Sequence, residues 1–205
     1  VSEVRWFHAS EHLDVNDLYA WSERVTSNGR IPEVLVVDDE HAVVTYRVAR
    51  VEPNGMMGGF KETDLEYIAG LSSSPLDNGG RFIVDSDDWP EERIGVPHPG
   101  GRVLDASTNR MIDSHNDTRQ DTLGADILRD LLRRGLHPRP GFKYGTRWRC
   151  YNKPLGESHA PWLVIHPAEA PHDWRGACLA SRLASGVGKT WLHPLQIDGI
   201  WSYLS

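Results

Sequence analysis

A tyrosine and a histidine stand eight positions apart in "WRCYNKPLGESHAPWLVI" (148–165). Tyr151 closes an aromatic and basic run, and His159 sits in a polar loop containing Gly and Pro that leads into a short apolar stretch. A phenol and an imidazole can each donate or accept a proton, and an imidazole does so near neutral pH. The stretch alone assigns neither role, because most loop histidines are solvated surface residues, so partners must come from elsewhere in the chain. The surroundings are cationic. Between Arg129 and Lys153 lie Arg129, Arg133, Arg134, Arg139, Lys143, Arg147, Arg149 and Lys153 against Asp130 alone, with Tyr144, Trp148 and Tyr151 interleaved. Such a strip can neutralise phosphates and offer planes on which unpaired bases stack. A solvated helix face followed by a charged hairpin would use the same residues.

Other chemistries find less support. His98, in "VPHPGG" (96–101), lacks a convergent set of ligands, so no metal site is expected. No GxGxxG or Walker sequence occurs, and no cofactor is expected. Cys150 and Cys178 form neither a CxxC pair nor a disulfide framework, and they read as buried thiols in a reducing compartment. No run of eighteen apolar residues is present, and "VSEVRWFHASEHLD" at the start lacks the blocks of a secretory signal. A soluble, cytoplasmic protein that does not engage a membrane is therefore expected. The chain opens on Val1 rather than Met, as a processed product or a fragment would. Its 205 residues give room for one large domain or two small ones, each with a core. A net charge of −7 argues against broad polyanion binding, so contact with nucleic acid should be local. Lysine is scarce, with only Lys61, Lys143, Lys153 and Lys189.

The elements that must position these residues follow from periodicity. "TLGADILRDLLRRG" (122–135) reads as a helix whose apolar face is Leu123, Ile127, Leu128, Leu131 and Leu132, with Thr122 capping its start and Gly135 its end. "GFKYGTRWRCYN" alternates large apolar with basic residues and reads as two strand pieces bending at Gly145. "WLVI" is a strand. Residues 172–185 form a helix with Trp174, Cys178, Leu179 and Leu183 on one face, stopped by Gly186 and Gly188. "TWLHPLQI" and "IWSYL" are closing strands, joined by a turn at Asp198 and Gly199. His166 and His193 fall in strand-like runs and read as structural. The last seventy residues thus make an α+β unit.

Within the chain, "SERVTSNGRIPEVLVVDDEHAVVTYRVARV" (22–51) aligns with "SRLASGVGKTWLHPLQIDGIWSYLS" (181–205), allowing a small gap before the basic residue and another at the turn. Arg30 then stands opposite Lys189. This alignment makes residues 1–54 the tail of a first copy, joined by a linker (55–59, within "EPNGMMGG") to a second copy over 60–205.

"GFKYG" (141–145), "RWRCY" (147–151), "HAPWLVI" (159–165) and "SRLASGVGK" (181–189) occur in the order found in the catalytic domain of archaeal tRNA-splicing endonucleases, which the chain resembles over 136–205. The resemblance is weaker over 60–121; it implies a small mixed α/β subdomain (60–135) ahead of a catalytic α+β domain (136–205), and residues 1–54 resemble the family only as the tail of a degenerate, non-catalytic repeat. It implies that Tyr151, His159 and Lys189 are catalytic, and that the substrate is precursor tRNA folded as bulge-helix-bulge. Cleavage would leave 2′,3′-cyclic phosphate and 5′-hydroxyl ends by metal-independent acid–base catalysis in a homodimer. The alternative is a non-catalytic structural subunit of the same fold. RNA supplies its own nucleophile, so a base, an acid for the leaving 5′-oxygen and a cation for the phosphate suffice. An imidazole suits the acid and an ammonium the cation. A phenol ordinarily titrates near 10, so it serves as base only beside a cation, and positioning the 2′-hydroxyl is the other reading. The resemblance also offers Arg182 for gripping an extruded base. Arg147, Arg149 and Lys143 are offered for phosphate, and Trp201 as an aromatic plane.

Overall fold

The computed structural model describes residues 1–84, 88–113 and 122–205, in two units: Val1–Pro53 with Pro140–Arg149 and Ala160–Ser205, and Asn54–Arg139 with Cys150–His159. The expected subdomain at 60–135 includes residues outside the described ones. The class is α+β. The first unit opens with strand β1 (Ser2–His8), helix α1 (Val15–Ser27), strands β2 (Ile31–Val37) and β3 (Val43–Arg47), and the short β4 (Arg50–Val51). β2 pairs in parallel with β1 and antiparallel with β3. Every second residue of β2 is buried, namely Pro32, Val34 and Val36, as a strand with one covered face requires.

The second unit continues with α2 (Glu62–Ala69), β5 (Ser73–Pro75), β6 (Arg81–Val84), β7 (Val96–His98), β8 (Gly101–Leu104), α3 (Ala106–Ile112), α4 (Thr122–Arg133) and β9 (His137–Pro140), whose last residue passes into the first unit. Its antiparallel strands run β5-β6-β8-β7. Ile127, Leu128, Leu131 and Leu132 of α4 are buried as their spacing predicts, whereas Leu123 is 39% exposed. Thr122 is the first helical residue rather than a cap, and the residue before it lies outside the described ones. At the other end Gly135 adopts a left-handed φ of 73° while its N–H and that of Leu136 donate to the carbonyls of Leu132 and Leu131. Residues of the expected linker are held in this unit. The N–H groups of Gly55, Met56 and Met57 donate to the carbonyls of Arg134, Asn152 and Gly135.

The remaining elements are β10 (Trp148–Tyr151), β11 (Trp162–Val164), α5 (Trp174–Ser185), β12 (Thr190–Ile197) and β13 (Ile200–Leu204). β4, β13, β12, β11 and β10 lie side by side in that order. The β12–β13 hairpin turns on Asp198 and Gly199, both at positive φ, which is the geometry the Asp-Gly pair predicts. The outer side of β13 is taken by β4 at Tyr203 and Leu204. Two further expectations change. "GFKYG" forms a 3₁₀ turn over Phe142–Tyr144, not a strand. Leu179 and Leu183 are 57% and 62% exposed, because α5 turns Trp174, Ala177 and Cys178 toward the core that includes Leu18, Val25, Val34 and Leu204.

The two ends of this unit share one plan. β1, α1, β2 and β3 repeat the order and pairing of β11, α5, β12 and β13. Asp14 and Asp173 cap the two helices by accepting N–H bonds from Asp17 and Gly176, and Arg30 and Lys189 each follow sixteen residues later. No gap is needed before the basic residue. The five-residue turn after β2 and the two-residue turn after β12 account for the other one.

Candidate active site

Lys189 is fixed by the way α5 ends. Gly188 takes a left-handed φ of 66°, and the N–H groups of Gly188 and Lys189 donate to the carbonyls of Ser185 and Ala184, both at 3.0 Å. Thr190 then starts β12 by donating to the Pro161 carbonyl at 2.9 Å. Held on both sides, Lys189 directs its ammonium to the carbonyl of Ala160 at 2.6 Å, the residue after His159. The ammonium also lies 5.4 Å from the centroid of the Tyr144 ring. Both partners are uncharged.

The Tyr144 ring is delivered by a tight turn. Gly141 N–H donates to the Arg147 carbonyl at 2.9 Å and Tyr144 N–H to the Gly141 carbonyl at 2.7 Å, while Gly145 closes the turn at φ 65°. A Cβ on Gly141 would come within 2.4 Å of Thr146 Oγ1, so that position needs glycine. Lys143 extends beside the same ring at 5.8 Å, and Phe142, 93% exposed, stands at the tip.

Arg30 occupies the matching place after α1. Gly29 and Arg30 donate to Thr26 and Val25 as Gly188 and Lys189 do to Ser185 and Ala184, and Gly29 has φ 69°. Its side chain, however, meets a carboxylate: Arg30 Nη1 lies 3.4 Å from Glu3, which also takes Arg24 at 3.5 Å and the Trp21 indole N–H at 3.1 Å. In the parallel register, Glu3 corresponds to Leu163.

Tyr151 and His159 belong to the second unit. Tyr151, half-buried at the end of β10, meets His137 edge-on with ring centroids 6.4 Å apart. Burial first, then the charges of Arg139 and Arg93, push His137 down to about 4, so it is neutral at physiological pH. His159 is exposed at the end of a loop in which Gly156 takes φ 93°. Neither Tyr144 nor His137 was singled out as a site residue from the sequence.

The basic strip does not present one continuous cationic face. Arg129 and Arg133 bond Glu62, Arg134 bonds Asp130, and Arg139 is buried, donating to the carbonyls of Glu92, Arg93 and Gly95. Arg147 is engaged by Glu169, and its guanidinium lies 5.9 Å from the Trp148 ring centroid. Lys143 and Arg182 are exposed, Arg149 is half-buried, and Trp201 is half-buried opposite Gln196. His166 caps a 3₁₀ turn instead of lying in a strand, and it is buried, as is His193 in β12. A cavity of about 80 Å³ in the first unit is lined by Leu18, Val34, Tyr46, Trp174, Cys178 and His193 among others; Tyr151, His159 and Lys189 do not line it. Among the described residues, no cluster of His, Cys, Asp or Glu is arranged to hold a metal ion, and no helix is long and apolar enough to cross a membrane.

Residues 125–196 match the family model described as tRNA intron endonuclease, catalytic C-terminal domain, and over those residues the chain is similar to that family. It is 38% identical over 168 residues to a tRNA-splicing endonuclease of Thermoplasma volcanium, covering 82% of this chain and 52% of that protein. It is 27% identical over 199 residues to a tRNA-splicing endonuclease of Picrophilus torridus, covering 97% of this chain and 59% of that protein. The chain thus spans between half and three fifths of the length of these relatives.

Proposed function

We propose that the protein excises introns from precursor tRNA by cutting at bulge-helix-bulge junctions, with Tyr151, His159 and Lys189 as the catalytic groups. The observation that carries the reading is the Lys189 ammonium. It is held by the backbone next to His159 and by an aromatic ring, and among the described residues no carboxylate is paired with it. A cation kept unneutralised in this way suits the charge that builds on phosphate oxygens when a 2′-hydroxyl attacks. His159, exposed on its loop, is then the acid that protonates the departing 5′-oxygen, and Tyr151 orients or deprotonates the 2′-hydroxyl. Lys143, Arg149, Arg182 and Trp201 contact the RNA, as does Arg147 once it exchanges Glu169 for phosphate. Residues 1–54 act as a degenerate copy that supports assembly, and two chains supply the two sites that two junctions require.

Incubating the purified protein with an intron-containing precursor tRNA tests this. The expected ends are a 2′,3′-cyclic phosphate and a 5′-hydroxyl, and a 2′-deoxy substitution at the scissile nucleotide should block cleavage. Ends with 3′-hydroxyl and 5′-phosphate would refute the mechanism. No cleavage by the purified protein, together with activity on adding a partner subunit, would favour the non-catalytic alternative.

A further inference from the structure

We infer that Tyr144 is the positioning residue for Lys189. Its ring holds the ammonium in place without neutralising it, and the "GFKYG" turn exists to present that ring. The inference rests on the nuclease reading for its meaning but on geometry for its content. An ammonium carries three N–H donors, and in Lys189 one goes to the Ala160 carbonyl at 2.6 Å. The Tyr144 face at 5.4 Å attracts the cation through the ring quadrupole and uses none of the remaining donors. Two N–H groups and the whole positive charge are left for a phosphate. A carboxylate would hold the side chain as firmly but would cancel that charge, which is what Glu3 does to Arg30 in the matching position.

The turn is built for the purpose at each residue. Gly141 is required by its approach to Thr146, and Gly145 by its left-handed backbone. The N–H of Tyr144 is tied back to Gly141, so the ring is carried by closed backbone bonds instead of a free loop. A strand would send alternate side chains to opposite faces. The turn instead sets the Lys143 ammonium 5.8 Å from the Tyr144 ring centroid.

Tyr144→Leu and Tyr144→Phe separate this role from general packing. Tyr144→Leu should slow single-turnover cleavage about tenfold with RNA affinity changed less than twofold, whereas Tyr144→Phe keeps the ring and should keep the rate within about twofold. In a Lys189→Ala background, Tyr144→Leu should cost nothing further. Multiplying losses in that double variant, or a Phe variant as slow as the Leu variant, would overturn the assignment. A readout independent of cleavage is at hand because the protein has only four lysines. In Lys143→Arg protein with labelled lysine, the Lys189 ε-methylene NMR signal should lie upfield of the others through the ring current. It should return toward them on adding Tyr144→Leu and stay in place with Tyr144→Phe. An unshifted Lys189 signal refutes the contact outright. If the shift is present but Lys189→Ala cleaves as fast as the parent protein, the contact stands and the nuclease reading of the lysine fails.

Discussion

Lys189→Ala should lower the single-turnover rate by about a hundredfold or more, since one preorganised donor to the transition state is lost. RNA affinity should fall far less, because Lys143, Arg149 and Arg182 still contribute charge. Arg30→Ala supplies the internal control. It removes a cation from the same helix-end position, but one already bound to Glu3, and the rate should stay nearly unchanged. Equal losses in the two variants, measured as rates and binding constants on one RNA, would remove Lys189 from the active site. At this scale the sequence tells the identities but not the surroundings. Lys189 and Arg30 align from their preceding glycines alone, yet nothing adjacent in sequence shows that one cation meets a ring and the other a carboxylate. Tyr144 is 45 residues from Lys189 and Glu3 is 27 from Arg30.

The helix ends carry a prediction of their own. Gly135 and Gly188 both terminate helices in the left-handed region, at φ 73° and 66°, so either one replaced by Ala pays the backbone strain of about 1–2 kcal/mol. A Cβ at Gly135 would in addition lie 2.0 Å from the Met57 carbonyl oxygen, whereas at Gly188 it would meet nothing within 4 Å. Gly135→Ala should therefore destabilise its unit by clearly more than Gly188→Ala does its own, and chemical denaturation followed with probes in each unit should show the difference. Equal losses would mean that the backbone alone sets the cost. Such ends were legible, as a glycine after a periodic apolar run is a reliable stop, and so were α4 and the Asp-Gly hairpin. "GFKYG" was misread because alternating large and basic residues imitate the two-residue period of a strand, while the bonds that close the turn leave no periodic trace. The misplaced face of α5 has a related cause. The helical period finds a stripe through Leu179 and Leu183, but small residues such as Ala177 and Cys178 are what fit against the core. The pairing of the basic strip was hidden for another reason, since Glu62 and Glu169 lie far along the chain from the arginines they engage.

For the molecule as a whole, the proposed function, with one catalytic trio per chain and a two-junction substrate, predicts a dimer as the active form. Light scattering at micromolar concentration should give twice the mass of the 23.1 kDa chain, and dilution that dissociates it should reduce cleavage of two-junction RNA. A monomer fully active on that RNA would refute the assembly. The first unit also has a consequence for the history of each molecule during synthesis. Residues 54–139 interrupt it in the chain, and β4 finds its neighbour only in β13, with Val51 beside Tyr203 and the backbone of Ala49 bonded in both directions to Ser205. β1, β2 and β3 pair among themselves, but β4 cannot pair until β13 has been made. Closing so long a loop carries an entropic cost that shorter contacts do not. The β4–β13 pairing is thus expected to form more slowly than the local pairing of α3 with α4.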